Sequence, residues 1–244
     1  INYSLILHNN GWGIYTNGGG GSILNINNSA IAYNNNDGIN LTGGILNVNY
    51  SNIHLNDGRG IVNSGVTELK NSILWGNDYG SGSIQLYNSN SASNLEYCSV
   101  MGLNSYGIAG NGANLVVCLD EDPMYIDSLF HLNNLSGCVD GGSIFNLDSL
   151  MPEGLGSPIA DMGMYGGPGN WYWGGGTPVS PSFGAPVLTT VQDISQDQGG
   201  YVGLLWDASL WDDYSINNRI EEYSIWRHLD FNGGRKKGMV YLNL

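Results

Sequence analysis

The sequence predicts an all-β solenoid of about five stacked coils. Three observations lead there: a short phrase recurring every 21 to 25 residues, strict apolar/polar alternation between its copies, and turn residues at constant offsets from it.

The recurring phrase is a serine, an apolar residue two positions on and an asparagine five positions on. It reads Ser4, Ile6, Asn9, then Ser29, Ile31, Asn34, then Ser51, Ile53, Asn56, then Ser72, Leu74, Asn77. A Gly-Ile pair follows four residues after the asparagine in the first three coils, at Gly13, Gly38 and Gly60. Asn and Gly accept the left-handed or bridging backbone angles of a turn, and the Ile then starts a fresh strand. Between coils, Leu24-Asn25-Ile26-Asn27 and Leu46-Asn47-Val48-Asn49 alternate with period two, as strands with one buried face do. Coil four keeps Leu69, Ser72, Leu74 and Asn77 before a longer Gly/Ser turn. Coil five begins near Leu95, where either Ser99 or Cys98 can fill the serine slot. Cys98 is preferred, because it keeps Leu95 and Val100 inside and burial fixes register.

Charge and composition narrow the partners. The first 110 residues hold 22 Asn and 18 Gly but only two basic side chains, Arg59 and Lys70. Regular Ile, Leu and Val nevertheless mark a packed structure rather than a low-complexity tract. Net charge is -14, divided as -3 over 1–110, -8 over 111–183 and -3 over 184–244. A field of that sign disfavours nucleic acid and anionic lipid. No apolar run approaches the ~18 residues of a membrane span. The chain opens in mid-pattern at Tyr3-Ser4, so an export signal is expected upstream. The three cysteines, Cys98, Cys118 and Cys138, show no zinc spacing. An oxidising setting would join Cys118 to Cys138, and packed free thiols are the equal alternative.

Candidate sites lie in the variable columns between the repeated residues. The ladder of Asn9, Asn34, Asn56 and Asn77 reads as structural, since stacked amides satisfy one another along the column. Three residues past each asparagine stand Trp12, Asp37 and Arg59, which in register would form an aromatic platform for a sugar ring beside charged groups. The alternative there is an Asp37–Arg59 ion pair with Trp12 covering the exposed end. For polysaccharide cleavage, Asp57 and Asp78 follow ladder asparagines in adjacent coils and would be the carboxyl pair. His54, three past its serine, is a candidate base or ligand but reads better as a solvated surface histidine. Asp120, Asp122 and Asp127 form the acidic group that could hold Ca²⁺; no other cofactor is expected.

From Leu119 to Gly169 the chain reads Asp122-Pro123-Met124-Tyr125-Ile126-Asp127, Phe130-His131-Leu132, Ser136-Gly137-Cys138-Val139-Asp140-Gly141-Gly142, and Asp161-Met162-Gly163-Met164-Tyr165-Gly166-Gly167-Pro168. In this order the segments resemble the end of secreted bacterial right-handed parallel β-helix proteins of the pectate-lyase-like kind. Gly137 stands where that group usually has proline and Gly141 where it has alanine. The resemblance covers about residues 1–170 and implies a right-handed parallel β-helix over 1–118, a C-terminal cap over 119–169, and an extracellular or cell-surface location. It implies no activity. Residues 170–186, rich in Gly, Pro and Trp, read as a linker. Beyond them, strand signals at 187–193, 197–206 and 220–227, with Trp206 and Tyr223 as core aromatics, resemble the first half of a fibronectin type III-like module. Residues 187–244 are therefore expected to be an incomplete β-sandwich without a closed core.

Two functions follow. The first is a non-catalytic extracellular stalk or adhesion module, with a polysaccharide or cell-surface glycan on the Trp12, Asp37, Arg59 column. The second is a polysaccharide-degrading hydrolase or lyase using Asp57, Asp78 and His54.

Overall fold

The structure is a computed structural model that describes residues 1–17, 21–78, 83–90, 92–151, 154–173, 177–178, 187–193 and 202–207. It is all-β; among the described residues the one helical turn is a 3-10 turn at Asn170–Tyr172. The chain divides into two units, Ile1–Val179 and Ser180–Leu244.

Each coil of the first unit contributes three strands. Coil one holds β1 (Leu5–Leu7), β2 (Ile14–Thr16) and β3 (Ile23–Asn27); coil two holds β4 (Ala30–Ala32), β5 (Ile39–Leu41) and β6 (Ile45–Asn49). Coil three holds β7 (Asn52–His54), β8 (Ile61–Asn63) and β9 (Val66–Lys70), and coil four β10 (Ile73–Trp75), β11 (Leu86–Asn88) and β12 (Ser93–Glu96). Coil five ends the column with β13 (Ser99–Val100), β14 (Ile108–Gly110) and β15 (Ala113–Val116). Like strands pair in parallel into three five-stranded sheets, β1-β4-β7-β10-β13, β2-β5-β8-β11-β14 and β3-β6-β9-β12-β15. The fold is a parallel β-solenoid of five coils. Ile73 pairs with Ser99 and Leu74 with Val100, which places Cys98 in the serine slot.

Inside, columns of like residues stack coil on coil. Ile31, Ile53, Leu74 and Val100 come from the first sheet, Ile39, Ile61 and Leu86 from the second, and Ile26, Val48, Leu69 and Leu95 from the third; all are buried. In coils three and four part of this interior turns polar. Asn63 donates to Thr67 Oγ1 and Asn88 to Ser93 Oγ, so the buried amides stay satisfied.

Two polar ladders hold the corners. Asn9, Asn34 and Asn56 each donate Nδ2 to the Oδ1 of the next asparagine at 2.7–2.8 Å. The second Nδ2 hydrogen reaches a backbone carbonyl of the coil before, as Asn56 does to Ile31 O. Gln85 Oε1 accepts from Asn77 Nδ2 and closes the row. On the other corner, each serine hydroxyl of coils two to four accepts the backbone N–H of the preceding serine at 3.1–3.2 Å.

The residue just before each ladder position turns the corner. Tyr3, Asn28, Tyr50, Asn71, Tyr97 and Val117 precede the serine slot with φ between 43° and 55°, and His8, Tyr33, Leu55 and Gly76 precede the asparagine slot with φ between 47° and 71°. Side chains in the left-handed region are strained, and here the ladder bonds on both sides fix the turn. The repeated Gly13, Gly38 and Gly60 are absent from that positive-φ set. Their reason is space: a Cβ on Gly38 would lie 2.7 Å from Asn56 Nδ2 and 2.8 Å from Gly60 O.

Residues 119–169 were expected to close the end of the column; the chain from 119 to 173 instead runs back along the outer face of the first sheet. Leu119 extends that sheet by bridging to Ser99. Then Phe130 and Met164 bury Ala30 and Ala32, while Leu132, Cys138 and Met162 bury Ile73. The corner residues anchor this strap. Asn71 Oδ1 accepts Ser143 N–H, Tyr50 Oη accepts from Asn146 Nδ2, and Asn28 Nδ2 donates to Met164 O and Gly166 O. Tyr3 stacks on Tyr172 at 4.4 Å, and Trp173 donates its indole N–H to Asn28 O. Residues 170–173 thus belong to the packed unit rather than to the linker read from the sequence. The strap also forms β16 (Leu150–Met151), antiparallel to β17 (Thr177–Pro178).

In the second unit, β18 (Val187–Asp193) and β19 (Val202–Asp207) form an antiparallel pair with an irregularity at Leu188/Thr190. The expected third strand at 220–227, with Tyr223, lies outside the described residues, as does the Trp206 side chain.

Candidate functional site

The strap decides which face of the column is open. It covers the first sheet, so the outward positions Leu7, Ala32, His54 and Trp75 are packed rather than solvated. His54 is 8% exposed, donates Nδ1–H to Trp75 O at 2.8 Å and meets Tyr33, Tyr125 and Phe130 edge-on. Burial pushes its pKa down to about 4. The solvated histidine read from the sequence is therefore a neutral core residue under the strap, hidden because nothing in residues 119–170 signalled which face they would cover.

Among the described residues the strap packs on the first sheet, and on the second sheet the variable column is in register. Gly13 N–H donates to Asp37 O and Gly38 N–H to Arg59 O, which stacks Trp12, Asp37 and Arg59 in successive coils. The side chains do not form the ion pair weighed above. Asp37 Oδ1 accepts Arg59 N–H at 3.0 Å and its Oδ2 accepts Asn40 Nδ2 at 2.7 Å. Arg59 lays its guanidinium over Tyr87, 4.6 Å from the ring centroid.

Pairing along the second sheet adds a second outward column, Tyr15, Asn40, Val62, Tyr87 and Ala109. Trp12 is 41% exposed and Tyr15 51%, with their ring centroids 4.9 Å apart. The face thus presents Trp12 and Tyr15 at one end, Asp37 with Asn40 in the middle, and Arg59 on Tyr87 at the other. Tyr15 and Tyr87 are three strand spacings apart, about 14 Å. Tyr15, Asn40 and Tyr87 were missed in the sequence; their signal is the position one past each strand-opening apolar residue (Ile14, Ile39, Leu86).

The other predicted residues do not assemble a site. Asp57 and Asp78 follow stacked asparagines, but Asp57 is exposed while Asp78 is 7% exposed and accepts Ile84 N–H within its own turn. The three calcium candidates are each engaged separately. Asp120 accepts Gly102 N–H, Asp122 accepts Met124 N–H, and Asp127 accepts Leu129 N–H and pairs with His131 at 2.7 Å. Among the described residues no group of three or more His, Cys, Asp or Glu side chains is placed to hold a metal ion.

A different acidic group is buried in the strap. Asp148 accepts Gly167 N–H, Asp161 accepts Asp140 N–H and Leu155 N–H, and Asp140 accepts Ser157 N–H and hydroxyl. Burial raises Asp148 to about 9 and Asp161 to about 7, with the Asp161 charge adding to Asp148. Between strap and sheet a crevice of about 180 Å³ is lined by residues including Phe130, His131 and Tyr165. That is below the ~300–1,000 Å³ of ordinary ligand pockets.

Fold and open face together define a parallel β-solenoid with one aromatic and polar side. No family model matches the chain, and no match to it was found among curated proteins or solved structures. No helix among the described residues is long and apolar enough to cross a membrane.

Proposed function

We propose that this chain is a non-catalytic module of a secreted or cell-surface protein that binds carbohydrate along its second sheet. The observation that carries the reading is the aligned strip of Trp12, Tyr15, Asp37, Asn40, Arg59 and Tyr87 on the second sheet, away from the strap. Aromatic rings offer flat apolar surface to sugar C–H faces, and the interleaved amide, carboxylate and guanidinium can bond hydroxyls. The strip is open and elongated, which suits a chain better than a single sugar. A net charge of -14 favours neutral over uronate-rich glycans. The order of segments supports the same setting: the 119–169 motifs resemble secreted bacterial β-helix proteins, and the sequence signals over 187–227 a fibronectin type III-like spacer.

Cleavage has weaker support, because His54 is packed under the strap and the Asp78 carboxylate is committed to its own turn. One experiment separates the two. The chain is incubated with neutral and acidic polysaccharides, then assayed for retention on each and for new reducing ends or unsaturated products. Retention without products is expected; turnover lost in Asp57→Asn would establish the enzyme instead.

A further inference from the structure

The serine ladder ends in two cysteines. Ser4, Ser29, Ser51 and Ser72 each donate a hydroxyl to the carbonyl two residues back. Cys98 makes the same bond to Glu96 O at 3.3 Å, and Cys118 makes it to Val116 O at 3.5 Å. The Ile73–Ser99 pairing sets Cys98 next to Ser72, and the Ser99–Leu119 bridge, with Leu119 N–H on Cys98 O at 2.8 Å, sets Cys118 next to Cys98. In-register neighbours on adjacent strands have Cα atoms about 4.8 Å apart, inside the ~4.4–6.8 Å range of disulfides.

Cys118 Sγ also reaches back to Leu95 O at 3.5 Å, and all three cysteines are free. Cys98 and Cys118 pack against the interior core, whereas Cys138 belongs to the strap and packs with Met162 on Ile73, outside the first sheet. A Cys118–Cys138 bridge would therefore have to cross the first sheet.

We propose that Cys118 and Cys98 form a thiol–disulfide exchange site at the open end of the column, where a small disulfide oxidises them to an intramolecular cross-link. Access is graded. Cys118 is half-buried beside the exposed Leu115, Val116 and Val117, while Cys98 is sealed in the core. The neighbouring Cys98 thiol, able to donate to a Cys118 thiolate, holds Cys118 down to about 7, and burial raises Cys98 well above the ordinary thiol range. Cys118 is thus the attacking sulfur and Cys98 the resolving one. In the first step the Cys118 thiolate attacks one sulfur of a disulfide such as oxidised glutathione and expels one thiolate. In the second, Cys98 Sγ attacks Cys118 Sγ and expels the other small thiolate, which takes up the Cys98 proton and leaves as a thiol. Two protein thiols are oxidised and one small disulfide is reduced to two thiols. The product ties the start of the strap to coil five.

The test treats the full chain with oxidised glutathione at about pH 8, quenches with acid, counts thiols under denaturing conditions and maps peptides. The count should fall from three to one, with Cys98 and Cys118 in one cross-linked pair. Cys98→Ser should stop at a glutathione adduct on Cys118, and Cys138→Ser should cross-link as the parent does. Serine fills the Cys98 slot in four coils, so Cys98→Ser is expected to fold, and circular dichroism checks the fold of both variants. Three unmodified thiols, a lasting adduct on the parent chain, or a bond to Cys138 would overturn the proposal.

Discussion

Asn56 donates Nδ2 to Asn77 Oδ1 at 2.8 Å, and the same oxygen accepts the Asn56 backbone N–H at 3.1 Å. Asn56 Oδ1 accepts the same two donors from Asn34 in the coil before it, and Asn56 Nδ2 also reaches back to Ile31 O. Removing it strands buried partners on both sides. Asn56→Ala should destabilise the solenoid by about 2–4 kcal/mol, against about 0–1 kcal/mol for Asn9→Ala at the exposed end of the row. Urea denaturation of both variants measures the difference.

The glycines beside that row test whether space or backbone angle selects them. Gly38→Ala pushes a methyl onto Asn56 Nδ2 and Gly60 O, so a loss of about 1–3 kcal/mol is expected in the same denaturation experiment. A turn requirement alone would leave the variant close to neutral, since φ there is not positive.

Val117 is the opposite case. It is 60% exposed and β-branched, yet turns its corner at φ 49°. Asn28 and Asn71 fill the equivalent position in coils two and four. Val117→Asn should stabilise by about 0.5–1 kcal/mol, read as a rise in melting temperature.

Buried carboxylates give the strap a pH dependence of definite sign. Asp148 and Asp161 have folded pKa values of about 9 and about 7, raised above the ordinary 3.8. Their contribution is full below the unfolded value and is lost as pH rises through the folded ones. Melting temperature should therefore fall from about pH 5 to pH 9, and Asp148→Asn, which keeps an acceptor oxygen for Gly167 N–H, should flatten the slope. His54 acts on the acid side: with its pKa lowered to about 4 from 6.5, it removes stability as pH falls through that window.

The column was legible in the sequence because each coil repeats one chemistry at one place. Ile31, Ile53 and Leu74 recur with the period of the fold, so register, sheets and core follow from spacing, and Cys98 finds its slot by burial. The strap has no period. Its contacts to Asn28, Tyr50 and Asn71 join residues 72 to 138 positions apart, which local pattern cannot report. His54 was misread for that reason. Gln85 was missed because it completes the asparagine row from eight residues past Asn77 rather than from the next coil's phrase. For the open face, the Trp12, Asp37, Arg59 column was visible as variation at a fixed offset. Its use of Tyr87 and Asn40 depends on side-chain directions that spacing leaves undetermined.

The most direct measurement is affinity electrophoresis of the chain through gels containing neutral polysaccharides, beside Trp12→Ala and Tyr87→Ala. Retardation by at least one neutral polysaccharide is expected, with each variant weakened about 5–30-fold, as the loss of an aromatic contact worth ~1–2 kcal/mol implies. Equal retardation of parent and variants, or no retardation by any polysaccharide, would contradict a carbohydrate-binding second sheet.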